Sequence, residues 1–253
     1  MEARIQGIDR FKDFFAGHKD EYVLIGGGAC NLLFDEIGQS FRATKDLDLV
    51  LLVEALTAEF GRDFWSFVRE GGYENKQKSS GEPQFYRFSK PKDHAFPAMI
   101  ELFARTNVDL SDVKSGLMPI HIDDEVSSLS AILLDEEYYR LLINNRTSSA
   151  GIAVLSVEGL IPFKAKAWLD LSARRADGQS VDEKSIKKHR HDVCRLATLL
   201  MGDERPVMSE GVCADMRRFM EAYESDPVDP KALKIKGVSA QQVVKVLRSV
   251  YLR

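Results

Sequence analysis

Eight residues, Asp46 to Val53 (DLDLVLLV), do more than any other stretch to limit the folds open to this chain. Leu47, Leu49, Val50, Leu51, Leu52 and Val53 form a short apolar run of strand length, which predicts a buried strand. Side chains of a strand alternate between faces, so Asp46 and Asp48 project from the same one. Two carboxylates side by side repel each other unless a cation joins them. Mg²⁺, which takes one or two carboxylates together with phosphate oxygens, suits such a pair, and Mn²⁺ is its close substitute. The alternative is a strand end carrying two solvated acids.

Twenty residues upstream lies YVLIGGGACNLL, an apolar strand (Tyr22 to Ile25) running into three glycines and then a helical pattern from Ala29 to Ile37. Backbone amides at such a turn can face an anion at the helix N-terminus. Glycine also allows a phosphate to approach the main chain closely. The turn is not a Walker A motif, because no G-K-[ST] follows. It is a poor dinucleotide fingerprint too, since Asn31 stands where a glycine or alanine belongs. A third acid, Glu101 in AMIELF, shares a strand face with Met99 and Phe103. An acid in an apolar strand is costly unless it is paired, metal-bound or at an edge that meets water.

Hydrophobic residues make up 44% of the 253 and charged residues 29%, as expected for a globular protein with a well-buried core. A net charge of −4 argues against a globally basic nucleic-acid binder. Cys30, Cys194 and Cys213 form no C-x-x-C pair and fit a reducing compartment. The N-terminus lacks the apolar core of a signal peptide, and no run of eighteen apolar residues occurs. The expectation is a cytoplasmic protein that does not engage a membrane.

Periodicity predicts a short helix over residues 4 to 17 and another over 60 to 70 with Phe60, Phe64 and Phe67 on one stripe. Residues 74 to 83 are polar and predict a mobile loop, followed by paired strands over 84 to 88 and 98 to 103. From Met118 to Val157 the pattern predicts short strands: PIHI, SAILL, YYRLLI and IAVLSV. Beyond Val157, EGLIPFKAKAWLDLSARRA and SIKKHRHDVCRLATLLM are long helical patterns. Pro206 and DPVDP (226 to 230) break the tail into shorter helices. The organisation predicted is a mixed α/β part over 1–157 and a helical part over 158–253, an α+β fold.

Taken together, strand, Gly-Gly turn, helix, D-x-D on the next strand and one acid on a later strand resemble the nucleotidyltransferase fold of the DNA polymerase beta superfamily. Gly27, Gly28, Asp46, Asp48 and Glu101 match its motif positions. Arg42-x-Thr44-x-Asp46 is similar to the R-x-T-x-D lead-in of its prokaryotic branches. The helical half resembles the abortive-infection (AbiEii-like) nucleotidyltransferase toxins. Lys164 and Ala167 match their L-x-x-x-K-x-x-A pattern, and Lys188, Asp192 and Leu196 match a second-helix pattern in which His189 replaces an Asp.

The resemblance implies a nucleotidyltransferase-type mixed sheet with flanking helices and a metal-dependent transfer of a nucleoside monophosphate from an NTP. Asp46, Asp48 and Glu101 would be the catalytic metal ligands. Gly27, Gly28, Thr44, Lys164, Lys188 and Asp192 would serve the nucleotide. For Lys164 and Lys166, phosphate neutralisation and a solvated helix position both stay open, as do orienting and helix-pairing roles for Asp192. The acceptor (small molecule, protein or RNA) is not readable, and relatives of this kind include toxins paired with an antitoxin. A nucleotide-binding or regulatory module without catalysis is the alternative, and a metal-using enzyme unrelated to nucleotides a third. His189, His191 and Cys194 have poor zinc geometry along a helix. His121, Asp123 and Asp124 could bind a metal but fit a solvated strand end better, and the basic run over 184 to 191 could meet phosphate or RNA, although such a run is usually a solvated helix face.

Overall fold

The computed structural model describes residues 5–75, 85–104, 132–133 and 135–252, which divide into two compact units. One comprises Met1–His121 and Arg146–Leu155; the other comprises Ile122–Asn145 and Ser156–Arg253. The fold is α+β, with a mixed seven-stranded sheet and eight α-helices among the described residues. Among those residues no helix is long and apolar enough to cross a membrane.

The first unit is built on the sheet, in the order β3-β4-β5-β2-β1-β7-β6. Its strands are β1 (Tyr22–Ile25), β2 (Asp46–Leu51), β3 (Glu74–Asn75), β4 (Phe85–Ser89), β5 (Met99–Ala104), β6 (Arg146–Ser149) and β7 (Ile152–Leu155). Strand β2 lies centrally, antiparallel to β1 and parallel to β5. Its register places Leu47, Leu49 and Leu51 on one face with Tyr22, Leu24, Ile100 and Leu102, all buried.

Helices α1 (Ile8–Phe14) and α3 (Ala58–Gly71) lie against that face. Phe11 meets Tyr22 edge-on at 5.5 Å, and Phe64 meets Phe88 of β4 at 5.4 Å. The Phe60, Phe64, Phe67 stripe expected from the 3.6-residue period is fully buried in α3. Thr57 starts that helix by accepting from the Phe60 amide. Behind it, Glu21 accepts from the Thr57 amide at 2.7 Å and hydroxyl at 2.9 Å. His18 bridges Glu21 at 2.7 Å and Asp63 at 2.9 Å, tying the lead-in of β1 to α3.

The second unit is helical: α4 (Glu136–Asn144), α5 (Val157–Ala176), α6 (Glu183–Ala197), α7 (Glu210–Ser225), a 3₁₀ turn (Pro230–Leu233) and α8 (Ala240–Tyr251). The breaks expected at Pro206 and DPVDP fall in the connections flanking α7. Helix α5 contains Pro162, whose missing N–H leaves the Glu158 carbonyl four residues back without its helical donor. The buried Tyr251 hydroxyl donates to that carbonyl at 3.0 Å.

Several expectations are corrected. YYRLLI is helix, not strand: Asp135 caps α4 by accepting from the Glu137 amide, and Tyr138, Tyr139, Leu141 and Leu142 are buried at helical spacing. Ile132 and Leu133 of SAILL are helical as well. The hairpin β6–β7 includes RTSS, which no apolar pattern announces. Glu74 and Asn75, assigned to a loop, pair with β4 as a short edge strand. PIHI, with His121, Asp123 and Asp124, and residues 76 to 83 lie outside the described residues.

Candidate functional site

Strand register builds the site. Ile25 of β1, Asp48 of β2, Glu101 of β5 and Arg87 of β4 are successive cross-strand partners, so they form one row on one face of the sheet. That face is opposite the aromatic layer, and Asp46 shares it two residues away, partnered with Met99. Asp46 and Asp48 are half-buried, whereas Glu101 is 6% exposed.

Glu101 lies between a base and an acid. Arg87 donates from Nε to Glu101 Oε1 at 2.6 Å, and Glu101 hydrogen-bonds Asp48 on its other side. Burial first, and then the charge of Asp48, push the Glu101 carboxyl well above the ordinary carboxylate range, while Arg87 pulls it down. The Arg87 guanidinium thus offsets part of the repulsion between the two acids.

The glycine run closes the other side. It does not precede helix α2 but opens it: α2 spans Gly26–Glu36. Gly26 has φ +66°, a left-handed conformation that favours glycine, and a Cβ there would run into Asp48 Oδ2. A Cβ on Gly27 would sit 2.8 Å from Thr44 Oγ1 and 3.5 Å from Arg42 Nη2. A Cβ on Gly28 would sit 3.3 Å from Leu24 Cδ1 and 3.4 Å from Leu47 Cδ2, a tight but less demanding fit. The start of α2 thus meets Asp48 at one residue and the Arg42–Thr44 lead-in at the next. Asn31 holds that lead-in by donating to the Arg42 carbonyl at 2.9 Å.

Among the described residues, six helices have their first turn capped by a side chain: Thr57, Asp135, Ser156, Asp182, Ser209 and Ser239. At α2 the N-cap is Ile25, which makes no side-chain cap bond. Helix α2 therefore begins beside Arg42 and Thr44 without an oxygen of its own on the first-turn amides.

The first unit brings together Gly26, Gly27, Gly28, Arg42, Thr44, Asp46, Asp48, Glu101 and Arg87. Hard oxygen donors on one face and a backbone that makes room for Asp48 fit a divalent cation such as Mg²⁺. The acids are not drawn into a closed cage: among the described residues no group of three His, Cys, Asp or Glu is gathered to hold an ion.

Lys164, Lys188 and Asp192 belong to the second unit. There Lys164 of α5 and Asp192 of α6 form a 3.0 Å ion pair with side chains 9% and 0% exposed, so each charge has a buried partner in the other. Such a pair links the two helices, and losing one partner would strand a buried charge. Lys166 is also engaged, at 3.0 Å from Asp170 and 3.5 Å from Asp215.

Gly26 and Arg87 are the site residues that motif matching misses. The register pairing Arg87 with Glu101 links segments fourteen residues apart, and only an arginine in a candidate strand beside one carrying an acid hints at it. The sequence matches no known protein-family model and no curated protein.

Proposed function

We propose that this chain is a divalent-metal-dependent nucleotidyltransferase that moves a nucleoside monophosphate from an NTP to an acceptor. The observation that carries this reading is the in-register contact of Asp48 and Glu101 beside a helix start whose glycine, Gly26, has no room for a side chain. Proteins do not keep a half-buried and a buried acid in contact cheaply, and a cation with a phosphate ligand is what such an arrangement accommodates.

When bound, a divalent ion on Asp46 and Asp48, with Glu101, supplies charge neutralisation at the triphosphate and activation of the acceptor. The remaining work falls to the chain itself. The amides that open α2 receive phosphate oxygens. The Arg42 guanidinium, with its planar fork of donors, matches a phosphate and holds it in line, and the Thr44 hydroxyl adds a further donor. Positioning and electrostatics of this kind are most of what phosphoryl-type transfer asks of a protein. The nucleotide roles of Lys164, Lys188 and Asp192 rest on the resemblance alone.

One observation favours the second reading, a nucleotide-binding module without chemistry: the third acid is already engaged by Arg87. Turnover separates the two. The protein is incubated with each α-labelled NTP, Mg²⁺ or Mn²⁺ and pools of RNA, protein and small-molecule acceptors. Label transfer with pyrophosphate release is expected, and Asp48→Asn should abolish it. Asp48→Asn turning over at the wild-type rate would reject the assignment; binding of NTP without transfer would favour the second reading.

A further inference from the structure

We propose that Arg87 is a built-in counter-ion of the carboxylate row, occupying the Glu101 oxygen that a divalent cation would use and setting that cation's affinity by competition. This rests on the metal-binding reading of the same site. Three observations carry it. Arg87 and Glu101 are register partners on neighbouring strands, so the guanidinium is held against the acid by the sheet itself. The contact is a 2.6 Å charge-assisted hydrogen bond to an acid that is almost fully buried. Glu101 in turn touches Asp48, so the cation on one side of Glu101 is felt by the pair.

The consequence follows from charge alone. Asp48 and Glu101 side by side are tolerable because a positive group adjoins them. An incoming divalent ion is a second positive group for the same oxygens. It must either displace Arg87 from Oε1 or bind with a fixed positive charge a few ångströms away, and each weakens its affinity. Arg87's side chain is a quarter exposed, so its head has water to move into when it yields. The site would then bind metal weakly on its own and more tightly when the substrate's phosphates add their own negative charge, which couples ion binding to nucleotide binding.

The test is Mn²⁺ binding to the full chain, followed by the paramagnetic signal of the free ion, on wild type, Arg87→Met, Arg87→Lys and Asp48→Asn. Competition predicts that Arg87→Met binds Mn²⁺ at least about tenfold more tightly than wild type, a fixed positive charge having been removed. Arg87→Lys, which keeps the charge, should stay within about twofold of wild type. Asp48→Asn should lose binding. If wild type binds no Mn²⁺, or Asp48→Asn binds it equally, the metal reading fails and this inference with it. If wild type binds, Asp48→Asn does not, and Arg87→Met is unchanged or weaker, the inference alone is overturned. A second measurement needs no variant. The Arg87 Nε–H resonance should shift and exchange faster with water as Mg²⁺ saturates the wild-type protein, and an unmoved resonance at saturation overturns the competition.

Discussion

Replacing Gly26 with Ala perturbs the site through two separable effects. The backbone there has φ +66°, and an L-residue in that region costs about 1–2 kcal/mol. The new methyl would also run into Asp48 Oδ2, with Asp48 Cγ at 2.9 Å, and overpacking of this sort costs about 1–3 kcal/mol. The sum is about 2–5 kcal/mol in the wild-type background. In an Asp48→Ala background the carboxylate is gone and Cβ stands at 3.3 Å, so only the backbone cost should remain. The coupling between the two changes is therefore about 1–3 kcal/mol, well above the few tenths expected of independent sites. Urea unfolding with EDTA present measures it. The chain has two tryptophans, Trp65 in the first unit and Trp168 in the second, so a Trp168→Phe background makes Trp65 fluorescence report the first unit alone. If Gly26→Ala costs the same in both backgrounds, Gly26 does not exist to make room for Asp48, and the packing argument for the site is wrong.

Two further outcomes are expected. Tyr251→Phe should destabilise the second unit by about 1–2 kcal/mol, because the Glu158 carbonyl loses its donor. Pro162→Ala restores the helical N–H, so the Tyr251 penalty should shrink in that background; an equal penalty, read from Trp168 fluorescence with Trp65 replaced, would refute the substitution of one donor for the other. His18 supplies the pH dependence. Burial lowers its pKa, but the hydrogen bonds and charges of Glu21 and Asp63 outweigh it, and the folded value is raised; the rings of Phe15 and Phe60 face it from the remaining sides. A raised folded pKa means this stabilisation is complete below the unfolded value near about 6.5 and is lost as pH rises through the folded one. Urea midpoints of the first unit should fall across that window in wild type and stay flatter in His18→Gln, and identical slopes would refute the clasp.

How much of this was legible beforehand depends on what determined each element. Strand β2 and the aromatic stripe of α3 were legible because burial imposes a period, and the period is written in Leu47, Leu49 and Leu51 and in Phe60, Phe64 and Phe67. The face shared by Asp46 and Asp48 follows from the same alternation. YYRLLI misled because aromatic and branched residues favour strands when read in isolation. The deciding signal, Asp135 followed by two glutamates, was present as a cap and an acidic first turn. Strand β6 escaped because RTSS is an exposed edge whose pairing owes more to its turn than to burial. Gly26 and Arg87 could not be ranked above their neighbours, since what matters at each is a partner brought close by the sheet. The Lys164–Asp192 pairing shows the converse: both residues drew notice as charged motif positions, but motif spacing does not say that each would meet the other.

The chain does not complete one unit before beginning the next. Helix α4 belongs to the helical unit, and yet the hairpin β6–β7 that follows returns to the sheet, where β7 pairs with β1. No single cut can therefore release two whole halves. A product ending after residue 157 would carry the whole sheet but strand α4, whose Tyr138 ring packs on Phe163 at 5.4 Å and whose hydroxyl reaches Asp215. One ending before residue 146 would keep β2 on one side of β1 but lack β7, which covers its other edge, and β6 beyond it. During synthesis β1 must wait for residues more than a hundred positions downstream before its second edge is covered, leaving an unpaired strand open to intermolecular pairing in the interval.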